Sequence, residues 1–88
     1  MMSTAQRIEE RLAALEPQSL ELTDDSGKHV GHEGAKGGGG HYSLIIVSKL
    51  FSGKPIQLRH RMVYDALGPL MHKEIHALAI KAYAPEEL

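Results

Sequence analysis

The sequence predicts a single small α+β domain in the order αββααβ, with three strands in one mixed sheet and helices packed on it. Three observations carry that prediction. The chain has 88 residues, enough for one domain, 1–88, and not for two. Apolar residues recur at helical spacing near the start and over 56–67, and at strand spacing or in β-branched runs over 19–24, 42–48 and 75–83. The second and third strands are joined through a helix, which is the connection a parallel pair requires.

Each element has its own local cause. Ser3 and Gln6 form an S-x-x-Q capping box, and Ala5, Ile8, Leu12 and Leu15 follow at helical spacing. Pro17 disfavours helical geometry at Glu16 and ends that helix. In "SLELTD", Leu20 and Leu22 alternate with Ser19, Glu21 and Thr23, as in a half-buried strand. "DDSG" turns the chain into a flexible glycine- and histidine-rich loop over about 25–41, long enough to be functional or disordered. "YSLIIVS" suits a central strand. "FSGKP" breaks it, and Pro55 opens a second helix that runs to Gly68 and Pro69. Ile56, His60, Val63 and Leu67 form its predicted apolar stripe, from which Arg59 and Arg61 diverge. "PLMHKE" makes one short helical turn. "IHALAIKAY" is a third strand with His76, Leu78, Ile80 and Ala82 on one face, and "PEEL" starts a last turn. Strands one and two should pair antiparallel and strands two and three parallel, which brings His76 near His41 on one rim of the sheet.

Composition excludes several function classes. No run of apolar residues approaches the length of a membrane span, so no membrane partner is expected. The segment "MMSTAQRIEERLAALEP" is amphipathic and carries acids, which fits neither a signal nor a transit peptide and leads to a cytoplasmic expectation. With no cysteine, the chain has no thiol nucleophile and no thiolate metal site of its own. No Ser-His-Asp constellation, apolar acid pair or phosphate loop is visible, so no enzyme is expected. The net charge is −1, yet no acid falls between Gly34 and Tyr64, where Lys36, Lys49, Lys54, Arg59 and Arg61 lie. That distribution allows either an ordinary solvated face or a locally basic surface.

Three of the six histidines fall in "HVGHEGAKGGGGHY", on glycine-rich backbone. His29 and His32 are close enough in sequence to reach one ion, with His41 and His76 approaching from the rim. The alternative is that these are incidental loop histidines, because ordering glycines costs entropy. His60, on the predicted apolar stripe, reads as a packed structural histidine.

Three segments in order, "LELTDDSGKHVGH", "HYSLIIVSKLFSGKPIQLRHRMVYDAL" and "IHALAIKAYAPEE", resemble the BolA-like proteins over nearly the whole chain. The signatures VS-x-x-F-x-G-K, RHR-x-VY and IHAL-x-I are specific in combination. The resemblance implies an αββααβ fold related to the type II KH domain. It also implies pairing with a monothiol glutaredoxin and a shared [2Fe-2S] cluster, to which the glutaredoxin gives a thiolate and bound glutathione another. On this chain the implied ligands are His76, in the "HAL" segment, and a loop residue. The histidine-bearing subgroup places that loop residue at His29, with His32 as the alternative. Imidazole ligation raises a cluster's potential and makes it pH-sensitive. No cluster is expected tightly bound to the isolated chain, which should be a monomer or weak dimer. The second implied function is DNA-binding transcriptional regulation through Lys54, Arg59 and Arg61, on a surface lacking the GXXG loop of RNA-binding KH domains.

Overall fold

The computed structural model describes residues 1–26 and 40–88. Helix α1 (Thr4–Leu12) opens on the predicted capping box, in which the Gln6 amide donates to Ser3 Oγ at 3.1 Å and the Ser3 amide to Gln6 Oε1 at 2.8 Å. A 3₁₀ turn (Ala13–Leu15) follows, and Glu16 takes a left-handed φ of 51° immediately before Pro17. Strand β1 (Ser19–Asp24) then runs antiparallel to β2 (Gly40–Val47), from Ser19↔Val47 to Asp24↔Tyr42. A second 3₁₀ turn (Lys49–Phe51) leads to helix α2 (Ile56–Leu67), capped by Gly68 at φ 55°, a conformation that favours glycine. The short helix α3 (Leu70–Lys73) precedes strand β3 (Ile75–Tyr83), and Pro85–Glu87 forms a last 3₁₀ turn.

The sheet order is β1-β2-β3, with β3 parallel to β2, so the predicted α+β architecture and both strand pairings are present. Strand β2 starts at Gly40, two residues before the predicted start, and stops at Val47 because Ser48 has another task. Ser48 is fully buried; its hydroxyl donates to the Leu15 carbonyl at 2.6 Å and accepts from the Leu50 amide at 3.1 Å. It thereby ties the end of the first helical segment to the end of the central strand.

The helices cover one face of the sheet. Ile8 and Leu12 of α1, Leu44 and Ile46 of β2, Phe51, and Val63 and Leu67 of α2 are each at most 1% exposed. Burying each such side chain contributes about 2 kcal/mol.

The predicted stripe of α2 is displaced. Its buried residues are Arg59, Val63 and Leu67, whereas Ile56 is 57% exposed and His60 half-buried. Arg59, expected to diverge from the core, lies inward because its charge is met there: it is 5% exposed and donates to the Lys54 and Ala82 carbonyls at 2.8 and 3.0 Å.

Candidate functional site

Parallel pairing sets the starts of β2 and β3 side by side on one rim. The ladder opens with Gly40↔Ile75 and continues with His41↔Ala77, so His76 is an extra residue opposite the Gly40–His41 step. This β-bulge resets the alternation of β3. Ile75 is buried and Leu78 packs against the core although they are three residues apart, and His76 and Ala77 between them are both exposed. The sequence reading placed His76 on the face of Leu78, Ile80 and Ala82. The bulge moves it off that face and into solvent.

The rings of His76 and His41 lie 5.0 Å apart between centroids, tilted by 42°, so the expected meeting on the rim is realised for this pair. Backbone holds His41 from two sides. Its amide donates to Ser26 Oγ at 3.0 Å, and its carbonyl accepts from the Asp25 amide at 2.7 Å. Ser43 Oγ donates to Asp25 Oδ2 at 2.5 Å. The Ser26 amide donates to Asp24 Oδ1 at 2.9 Å, and hydrogen bonding from Ser26 holds the Asp24 carboxyl below its ordinary value. The turn after β1 is thus folded back onto the backbone of His41.

On the other flank the Gly40 amide donates to the Glu74 carbonyl at 2.8 Å. The Glu74 carboxylate pairs with Arg7 and accepts from Thr4 Oγ1 at 3.3 Å, which docks α1 beside the rim. Tyr42, 7% exposed, lies over Gly40, and a Cβ at that glycine would come within 2.4 Å of its ring. Burial pushes the Tyr42 phenol above its ordinary value.

His29 and His32, and most of the loop expected over 25–41, lie outside the described residues. Among the described residues no group of three or more His, Asp or Glu side chains could hold a metal ion, so this rim offers two imidazoles.

The predicted basic surface is divided. Arg59 Nη1 and Nη2 donate to Glu87 Oε1 and Oε2 at 2.6 and 2.9 Å, and the Ala84 amide donates to the same carboxylate at 2.7 Å. These bonds draw the Glu87 carboxyl down to about 2 and push the Arg59 guanidinium up. Arg59 is therefore a structural residue, a correction to its assignment beside Lys54 and Arg61. Arg61 is exposed and Lys54 half-buried. Glu87 had no role in the sequence reading, although its place at the third position of a 3₁₀ turn, reaching back to the Ala84 amide, is a capping pattern. A groove of about 810 Å³ between α2 and α3, lined by Tyr64, Gly68, Pro69, Met71 and His72 among others, shares no residue with the histidine rim.

Residues 12–87 match the family model described as BolA-like protein. The chain is 37% identical over 87 residues to the "DNA-binding transcriptional regulator BolA" of Escherichia coli, covering 98% of this chain and 80% of that protein. It is 40% identical over 92 residues to "SufE-like protein 1, chloroplastic/mitochondrial" of Arabidopsis thaliana, of which it spans only 25%. The solved BolA domain of SufE1 from Arabidopsis thaliana superimposes with a TM-score of 0.83 at 40% identity, covering 100% of this chain and 99% of that one. BolA1 from Mus musculus gives 0.80 at 34% identity, covering 99% of this chain and 69% of that one.

Proposed function

The chain belongs to the BolA-like family, and on that premise we propose that it is the histidine-donating partner of a monothiol glutaredoxin, receiving and passing on a [2Fe-2S] cluster as shared cargo. The observation that supports this reading is the His41–His76 pair, two imidazoles 5.0 Å apart on one rim of the sheet, one of them set outward by a bulge. The donor set fits the group, because neutral imidazole nitrogen binds iron and the chain has no thiolate to compete with it.

His76 is the ligand this chain offers first. His41 stands beside it, its backbone fixed by Ser26 and Asp25. His29 or His32 is the further donor that family membership suggests. His76 and that loop histidine would supply two of a cluster's four ligands, with the partner's cysteine and glutathione supplying the other two, so the isolated chain holds the cluster weakly. The chain's role here is ligation and handover, with no catalytic step of its own.

The test is a visible circular dichroism titration of [2Fe-2S]-loaded monothiol glutaredoxin with this protein under anaerobic conditions. A new spectrum saturating near equimolar ratio, and absent with His76→Ala, is the expected result. An unchanged spectrum with wild-type protein would sink the reading.

A second reading, DNA binding, is favoured by the Escherichia coli relative, a DNA-binding transcriptional regulator by name. On this chain it would rest on Lys54 and Arg61, since Arg59 is committed to Glu87. Its test is binding across a salt series, where loss of each phosphate contact lowers the slope of log K against log salt by about one. No helix among the described residues is long and apolar enough to cross a membrane. Two relatives carry chloroplastic in their names, so family membership does not assign the cytoplasmic setting we propose for this chain.

A further inference from the structure

A ligand histidine turned to solvent needs something to aim it. His76 is exposed, and its own strand gives it little: Ile75 is buried in the core and Ala77 offers a single methyl group. The Glu74 carboxylate is held beside α1 by Arg7 and Thr4. A histidine with two rotatable side-chain bonds in that setting samples several rotamers. Fixing one of them only on binding costs affinity.

The neighbouring strand supplies the restraint. The bulge sets His76 opposite the Gly40–His41 step. Gly40 has no side chain, and a Cβ there would run toward Tyr42, on the core side of the sheet. By the alternation of the strand His41 belongs to the other face, so it is the β2 side chain that reaches the extra residue. Its ring meets that of His76 at 5.0 Å between centroids, within the range of about 4.5–7 Å in which aromatic pairs attract. Among the described residues, it is the ring that His76 meets.

His41 itself is anchored. It is half-buried in the central strand, with β1 on one side and β3 on the other. Its amide donates to Ser26 Oγ and its carbonyl accepts from the Asp25 amide. Ser26 and Asp25 are in turn bonded to Asp24 and Ser43. One histidine is therefore fixed by the sheet, and the other takes its restraint from the first.

We propose that His41 is a positioning residue and not a ligand: its ring is the wall that selects one rotamer of His76 and holds that imidazole ready for iron. The proposal rests on the cluster reading for its purpose and divides the work of that site between the two rings. Residues that orient a metal ligand typically change metal affinity by about 10–100-fold when removed. What position 41 requires, on this account, is a flat ring, with or without nitrogen.

The experiment compares wild type with His41→Phe, which keeps a ring but has no nitrogen donor, and with His41→Ala, which removes the wall. Far-ultraviolet circular dichroism checks that both variants fold. In the isolated chain, three-bond couplings to Cγ of His76, measured by nuclear magnetic resonance, report its χ1 rotamer. One rotamer is expected in wild type and His41→Phe, and an average of rotamers in His41→Ala. In the titration of [2Fe-2S]-loaded monothiol glutaredoxin, His41→Phe should reproduce the wild-type spectrum and midpoint, and His41→Ala should bind about tenfold more weakly.

Loss of the spectrum in both variants would make His41 a ligand and overturn the proposal. Averaged couplings in wild type, or couplings and spectra that are the same in all three proteins, would overturn it too. If wild-type protein leaves the glutaredoxin spectrum unchanged, the cluster reading fails. Couplings that average only in His41→Ala would then still uphold the positioning contact, so the two failures are distinguishable.

Discussion

Arg59 and Glu87, 28 residues apart, share two charge-assisted hydrogen bonds of 2.6 and 2.9 Å, and the same guanidinium closes the Ala82 carbonyl at 3.0 Å. One side chain thereby binds α2, the end of β3 and the following turn. Because the folded-state carboxyl of Glu87 is drawn from 4.5 to about 2, its contribution is fully present above 4.5 and is lost as pH falls toward 2. Thermal unfolding of Glu87→Gln should show a lower midpoint than wild type at neutral pH, with the gap closing through that acid window. A constant gap down to pH about 2 would refute the linkage. Glu87 is partly open to water, so added salt should narrow the difference.

Arg59 and Arg61 are two positions apart yet should respond differently to alanine. Arg59→Ala takes this donor from the Lys54 and Ala82 carbonyls, leaves the Glu87 carboxylate only the Ala84 amide, and should lower the unfolding midpoint clearly. Arg61→Ala, at an exposed site, should stay within about 0.5 kcal/mol of wild type. Urea titration of both variants separates the roles, and equal losses would contradict them.

Ser48 satisfies the Leu15 carbonyl from a fully buried position. Ser48→Ala removes the donor while keeping the backbone, and should cost about 1–3 kcal/mol in urea unfolding. A loss near zero would mean that the carbonyl finds another donor.

Gly40, which closes the run of four glycines, is the first residue of the central strand. Gly40→Ala drives a methyl into the Tyr42 ring, and Tyr42 is too buried to swing aside freely. We expect a loss of about 1–3 kcal/mol. Near-ultraviolet circular dichroism should report a displaced tyrosine, and an unchanged signal with unchanged stability would refute the contact.

What could be read from the sequence was governed by local rules. The Ser3–Gln6 box, the stop at Pro17 and the limits of α2 each follow from neighbours within a few residues, and each is found in the structure. The meeting of His41 and His76 followed from one handedness-and-direction argument about the crossover. The misplacements involve partners remote in sequence or a change of phase. A charged Arg59 falls outside an apolar pattern, which therefore runs through Ile56 and His60; the Lys54 and Ala82 carbonyls and the remote Glu87 make its burial tolerable. His76 was assigned by strict alternation, which a single bulge inverts. Ile75 and Leu78, large apolar residues three apart within a strand, were the available sign of that bulge.

The bulge separates two demands that a regular strand would join. In unbroken alternation the residue at 76 would belong to the core face, and any exchange there would be filtered by packing. As an extra residue turned to solvent, it is held in place by Ile75 and Ala77 while its ring meets His41 rather than the core. Substitutions at 76 should therefore cost the fold little. A lineage could exchange one side chain for another there without first rebuilding the domain.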